Sequence, residues 1–183
     1  MKIFIIHGSY GHPGENWFPW LKNELERNGH EVFVPRFPTP ENQSLDKWME
    51  AFKKYEKYLD ENTIMVGHSL GPAFILNILE KLNHPIKACF FVSGFTGLLG
   101  SEFDKINKTF CDREFNWEKI KKNCKKFFLF HSDNDPYVPL EKAYKLNEKL
   151  DGELEIVKGA GHFNEAAGYT KFPLLLEKII EVI

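Results

Sequence analysis

Short apolar runs, hydrophobic on both faces, alternate along this chain with longer segments of helical periodicity. Ile3-Phe4-Ile5-Ile6 and Phe127-Phe128-Leu129-Phe130 leave no side for water. A strand of that kind belongs inside a parallel sheet covered by helices on both faces. The candidate strands are Lys2–Ile6, Glu31–Pro35, Thr63–Val66, Ile86–Val92, Lys126–His131 and Glu153–Val157. Between them lie helical patterns. Trp17, Leu21 and Leu25, followed by Gly29, suit a first helix. Ser44 suits the cap of a second, where Leu45, Trp48, Met49, Phe52, Tyr55 and Leu59 recur at steps of three and four. Leu70 to Leu82, Leu140 to Leu150 and Phe172 to Ile183 supply three more. Alternating strands and helices require right-handed crossovers. The expected architecture is a single α/β domain over residues 1–183, with a six-stranded, mostly parallel sheet. The stretch from Gly94 to Asn123 is the one long interruption. It is too short for a separate cap domain and long enough for a loop and short helices over a site.

Composition narrows the function classes. The chain has 43% apolar residues and 17 Phe, which excludes a disordered chain. Its 24 Lys and Arg nearly balance 26 Asp and Glu, for a net charge of -2, so no basic surplus favours nucleic acid or acidic lipid. The densest basic run, Lys119 to Lys126, carries Ile120 and Cys124 and reads as the solvated face of a helix. The first apolar run, Ile3 to Ile6, is too short for a signal-peptide core, and no stretch approaches the ~18 residues of a membrane span. Cys89, Cys111 and Cys124 have no CxxC spacing and suit a reducing interior. The expected location is the cytoplasm. Neither a metal nor a cofactor is expected, and no GxGxxG or GxxxxGK[ST] loop follows a strand.

The chemistry gathers at strand ends. Gly67-His68-Ser69-Leu70-Gly71 stands between the apolar run Thr63-Ile64-Met65-Val66 and the helical Ala73-Phe74-Ile75-Leu76. A sharp strand-turn-helix elbow needs small residues two positions either side of its serine, where other backbone passes close. Such a turn lifts the Ser69 hydroxyl above the carboxyl edge of the sheet, and the following helix N-terminus favours a developing oxyanion. A serine hydroxyl needs a base to take its proton. Among seven histidines, His162 stands in Gly159-Ala160-Gly161-His162-Phe163 directly after the last strand, on the same edge as Ser69. His68 is expected to point away from the hydroxyl, His30 and His84 to lie in surface turns, and His131 to be a partly buried, hydrogen-bonded residue.

The orienting acid is expected after the penultimate strand, in His131-Ser132-Asp133-Asn134-Asp135-Pro136-Tyr137-Val138-Pro139. Asp135, stiffened by Pro-x-Val-Pro, is favoured over Asp133, which is expected to fix its own turn. The chain order Ser69, Asp135, His162 is that of the α/β-hydrolase triad. Two N–H donors are needed for a tetrahedral oxyanion. Leu70 should supply one and the loop His7-Gly8-Ser9-Tyr10-Gly11 the other, through Ser9 or alternatively Tyr10, with His7 bracing that loop.

These residues resemble the compact serine hydrolases of the α/β-hydrolase superfamily, which include the retinoblastoma-binding-protein hydrolases and YdeN-like proteins. The likeness rests on His7-Gly8, Asn16-Trp17-Phe18-Pro19-Trp20-Leu21 and Gly67-His68-Ser69-Leu70-Gly71. It continues through Val92-Ser93-Gly94-Phe95, Asp133 to Pro139 and Gly161-His162-Phe163. The resemblance implies the three-layer α/β-hydrolase fold without a large cap, with the sheet order 2-1-3-4-5-6 that remains when the leading antiparallel strands of larger relatives are missing. It also implies a Ser-His-Asp triad, no cofactor, and hydrolysis of ester or amide bonds in small molecules. It does not extend to a retinoblastoma partner, because the chain has no Leu-x-Cys-x-Glu segment. The leading expectation is therefore a serine hydrolase, carboxylesterase-like, that acts through an acyl-enzyme. Trp17, Phe18, Phe95, Leu98 and Leu99 are candidates for an apolar acyl pocket. The alternative is a non-catalytic protein-binding module on the same scaffold, using Trp48, Tyr55 and Tyr58 as exterior aromatics.

Overall fold

The computed structural model describes residues 1–183. Six strands, β1 (Lys2–Ile6), β2 (Glu31–Phe33), β3 (Thr63–His68), β4 (Ala88–Val92), β5 (Phe127–Ser132) and β6 (Glu153–Val157), form one sheet. Their order is β2-β1-β3-β4-β5-β6, and every neighbouring pair is parallel. Seven helices cover it: α1 (Phe18–Arg27), α2 (Leu45–Phe52), α3 (Gly71–Leu79), α4 (Asp104–Cys111), α5 (Trp117–Lys122), α6 (Leu140–Leu150) and α7 (Pro173–Val182). No helix is long and apolar enough to cross a membrane.

The two-residue period of a strand divides the core into two layers. Ile3, Ile5, Ile64, Val66, Phe90, Val92, Phe128 and Phe130 pack with Leu21 and Leu25 of α1 and Leu175 and Ile179 of α7. Phe4, Ile6, Met65, Phe91 and Leu129 point the other way, onto Trp48 and Phe52 of α2, Phe74 of α3, Phe110 of α4, Ile120 of α5 and Leu146 of α6. Both faces of the central strands are therefore dry, which is why their sequences show no polar alternation.

The elements depart from the sequence reading at their ends. Strand β2 stops at Phe33, short of Pro35, whose missing N–H cannot extend a ladder. β4 begins at Ala88, with Ile86 joined to Cys124 only by an isolated bridge. β3 runs on through Gly67 and His68, which pair with Phe91 and Val92, so the strand delivers the chain directly to Ser69. Ser44 caps α2 by accepting the Lys47 N–H, as its position suggests. The helix then tightens into a 3-10 turn over Lys53–Tyr58 instead of continuing to Leu59. There Tyr58 stacks on Phe33 at 4.9 Å and Tyr55 meets Phe4 edge-on at 6.1 Å. In α5, Ile120 faces the core while Lys121 and Lys122 face water, as the basic run implies.

Candidate active site

Ser69 occupies the turn between β3 and α3 with φ of 59°, in the left-handed region that L-residues rarely adopt. Its backbone N–H donates to the Val92 carbonyl at 2.9 Å. The flanking glycines are there for space. A Cβ on Gly71 would stand 2.5 Å from the Ile6 carbonyl oxygen, and one on Gly67 would stand 2.7 Å from the Pro72 nitrogen. The loop after β1 presses equally close, since a Cβ on Gly8 would lie 2.7 Å from the Ser69 Cβ. The Ser69 hydroxyl makes no hydrogen bond within the chain and lines a cleft at the carboxyl edge of the sheet.

His162 lines the same cleft. Its Nδ1 lies 2.8 Å from Asp135 Oδ2 and 3.0 Å from Oδ1. The Asp135 carboxylate is fully buried. Burial by itself pushes its pKa up. The His162 contact and the donated N–H groups of Tyr137 and Val138, at 2.9 and 3.1 Å, outweigh this and hold it below the usual carboxylate value. An ionised carboxylate only accepts, so Nδ1–H is the donor, and in the neutral tautomer Nε2 carries the lone pair. Nε2 makes no hydrogen bond to the protein, and none joins it to Ser69 Oγ. The hydroxyl and the ring share the cleft. Catalytic contacts of this kind commonly tighten only when substrate is bound.

Four consecutive side chains hold the histidine loop. Asp133 Oδ1 accepts the Gly159 N–H at 2.8 Å, Ser132 Oγ the Ala160 N–H at 2.9 Å, Asn134 Oδ1 the Gly161 N–H at 2.8 Å, and Asp135 the ring of His162. Asp133 thus fixes the neighbouring loop and not its own turn. From below, His68 Nε2–H donates to the His162 carbonyl at 2.7 Å, and Trp17 Nε1–H donates to the Phe163 carbonyl at 3.0 Å. Full burial drops the His68 pKa to about 3, so the ring is neutral and does not reach the Ser69 hydroxyl with a proton.

The backbone N–H groups of Leu70 and Ser9 make no hydrogen bond within the chain. That of Tyr10 donates to Thr39 Oγ1 at 2.7 Å and is spent there. Of the two candidates, Ser9 is the one whose N–H remains free. Its side chain is held in turn: Ser9 Oγ donates to Asn107 Oδ1 at 2.6 Å, and Gln43 Nε2 donates to Ser9 Oγ at 2.9 Å and to Asn107 Oδ1 at 2.8 Å. Thr39 Oγ1 donates to Gln43 Oε1. His7 braces the loop from inside, with Nδ1–H donating to the Gly8 carbonyl at 2.8 Å and Nε2 accepting the Phe37 N–H at 3.1 Å. Its burial lowers its pKa to about 4.

The cleft measures about 330 Å³, near the small end of the ~300–1,000 Å³ range of ligand sites. Phe95, Leu99, Phe103, Tyr137 and Val138 line it, with Glu15, Asn16, Asn107 and Asn164 as polar members. Phe95 and Leu99 are where the sequence reading puts them. Trp17 and Phe18 are not: both are fully buried beneath the site, and Leu98 points into solvent. A chain of rings crosses the cleft, because Phe103 meets Tyr10 edge-on at 6.0 Å and Tyr137 at 5.9 Å, and Tyr137 meets His162 at 5.0 Å. No three His, Cys, Asp or Glu side chains lie close enough together to hold a metal ion.

The serine hydrolase family profile matches residues 3–180. The chain belongs to that family. This serine hydrolase is 32% identical over 178 residues to the putative hydrolase YdeN of Bacillus subtilis, covering 96% of this chain and 93% of that one. It is also 32% identical over 165 residues to the serine hydrolase RBBP9 of Rattus norvegicus, covering 88% and 87%. The crystal structure of YdeN superimposes with a TM-score of 0.93 over 99% of this chain and 97% of that one, at 31% identity. Est1E of Butyrivibrio proteoclasticus, solved with ferulic acid, has a TM-score of 0.72 over 98% and 89%, at 20% identity, and shares the fold.

Several supporting side chains of this serine hydrolase escape a reading of the sequence. Gln43 and Asn107 are 64 residues apart and meet only through the fold. Ser93 Oγ donates to Asp135 Oδ2 at 2.8 Å, a contact across 42 residues. Ser132 and Asn134 did carry a signal, since four short polar residues in a row after a buried strand have carbonyls or N–H groups to meet. The proposed exterior aromatics of a binding module are not exterior: Trp48 is fully buried, and Tyr55 and Tyr58 are half-buried against Phe33. His131 is buried, with Nε2 bonded to the Val138 carbonyl at 2.9 Å and Nδ1 without a partner.

Proposed function

We propose that this family member hydrolyses ester bonds, and chemically related amide bonds, of small substrates, with Ser69 as nucleophile, His162 as base and Asp135 as orienting carboxylate. The observation that carries the reading is the buried His162–Asp135 contact at 2.8 Å on the cleft that also presents an unbonded Ser69 hydroxyl. In the first half-reaction, Ser69 Oγ bonds to the acyl carbon as its proton passes to His162 Nε2. The tetrahedral oxyanion is met by the Leu70 and Ser9 N–H groups. Collapse breaks the bond to the leaving oxygen or nitrogen, which takes the proton from His162. Water then attacks the acyl-enzyme, gives its proton to His162, and the returning proton restores Ser69 as the acid departs. No cofactor enters this balance. The limited cleft and its arch of rings support small acyl groups over long lipid chains.

Hydrolysis of p-nitrophenyl acetate and butyrate tests the proposal. Wild type turns both over, and Ser69→Ala and His162→Ala each lower kcat by on the order of 10³–10⁶. Turnover that survives Ser69→Ala at the wild-type rate overturns it. We further place the protein in the cytoplasm, a proposal supported by three free, buried cysteines.

A further inference from the structure

Ser93, the residue after β4, is fully buried and has φ of 50°, in the left-handed region. A non-glycine residue held there is strained, and such strain persists where the surroundings over-determine it. Its N–H donates to the Phe130 carbonyl at 2.9 Å, and its Oγ donates to Asp135 Oδ2 at 2.8 Å, the same oxygen that receives His162 Nδ1. The other donors to the carboxylate from the acid loop, the Tyr137 and Val138 N–H groups, go to Oδ1. We propose that Ser93 is a positioning residue: its hydroxyl fixes the Asp135 oxygen that orients His162 and shares the charge on that oxygen. This rests on the triad reading given above.

A glycine would adopt the left-handed backbone without strain, so packing alone does not account for a serine at this place. What serine adds is one hydroxyl hydrogen, aimed at a buried anion. Removing it leaves Oδ2 with His162 as its one close donor, in a site too dry for bulk water to replace the bond. The ionisable groups around the carboxylate are His162, His131 with Nε2 at 4.0 Å, and His68, and burial keeps the last two neutral. A carboxylate with one donor fewer draws the imidazolium more strongly, so the neutral, proton-accepting ring is reached only at higher pH.

Ser93→Gly suits the left-handed backbone conformation and removes the hydroxyl together with its Cβ. The expected result is a kcat about 10-fold lower, with KM within about 2-fold. The acid limb of the pH–rate profile should move up by roughly half a pH unit. The variant should stay folded at the assay temperature, with a single cooperative urea transition. In an Asp135→Asn background the same change should have no further effect on the rate of Ser69 labelling by a fluorophosphonate, since Ser93 acts through that carboxylate. Wild-type kcat and an unmoved acid limb in a folded Ser93→Gly protein overturn the inference. So does a loss of activity that merely follows the loss of folded protein. Either result leaves wild-type, Ser69-dependent hydrolysis intact and so is distinct from failure of the triad reading.

Discussion

Asp135 and Asp133 lie two residues apart on one loop, and the fold uses them differently. Asp135 has a fully buried side chain bonded to His162, whereas Asp133 faces solvent and holds the Gly159 N–H. An acid that orients a base should be costly to remove, while one hydrogen bond to a loop should be worth ~1 kcal/mol. Asp135→Ala is therefore expected to lower kcat for p-nitrophenyl butyrate at least ~10³-fold, and Asp133→Ala less than ~10-fold. Steady-state kinetics on the two purified variants checks this, and equal losses would mean that the carboxylate assignment is wrong. The prolines that follow Asp135 set it apart from Asp133 in the sequence, and the fold brings Asp135 to His162. Nothing in the sequence separates Ser9 from Tyr10, because Thr39, about thirty positions away, takes the Tyr10 N–H only in the folded loop.

At the scale of elements, the elbow and the ring arch make separate predictions. A Cβ on Gly71 would lie 2.5 Å from the Ile6 carbonyl oxygen, so Gly71→Ala forces β1 and α3 apart. A loss of about 3 kcal/mol or more is expected in urea unfolding, the upper end for overpacking, because the obstacle is backbone and cannot rotate away. An unchanged midpoint would show that the elbow has slack the geometry does not allow. Phe103 joins Tyr10 to Tyr137 over the cleft without touching His162 itself. Phe103→Ala should open the mouth and raise kcat/KM for p-nitrophenyl octanoate relative to butyrate by about 10-fold, the effect of a few added methylene contacts. No change in that ratio would remove the arch as the limit on acyl length. The strand-turn-helix elbow was readable because its glycine spacing and apolar flanks are local. The arch was not, because Tyr10, Phe103 and Tyr137 come from three different loops with no shared period.

The whole molecule carries three buried neutral imidazoles, His7, His68 and His131, whose titration is tied to folding. His68 and His7 have folded-state pKa values of about 3 and about 4, against 6.5 for an exposed ring. Below pH 6.5 the unfolded chain takes up protons that the folded chain refuses, so stability falls as pH drops through that window. At pH 5 each of these two rings costs on the order of 2 kcal/mol, and urea unfolding should show at least about 4 kcal/mol less stability at pH 5 than at pH 7.5. A flat profile over that interval would contradict the burial of both rings. A parallel sheet followed from six apolar runs and right-handed crossovers, and its order from the family resemblance. Strand ends did not, because Pro35, Ile86 and His68 depend on neighbours for their pairing.

The central claim is that Ser69 is the nucleophile of this site, and covalent labelling tests it most directly. A fluorophosphonate probe followed by peptide mapping should find one adduct per chain, on the peptide bearing Ser69. That adduct should be absent from Ser69→Ala and form far more slowly in His162→Ala. An adduct on another residue, or equal labelling of Ser69→Ala, would contradict the account.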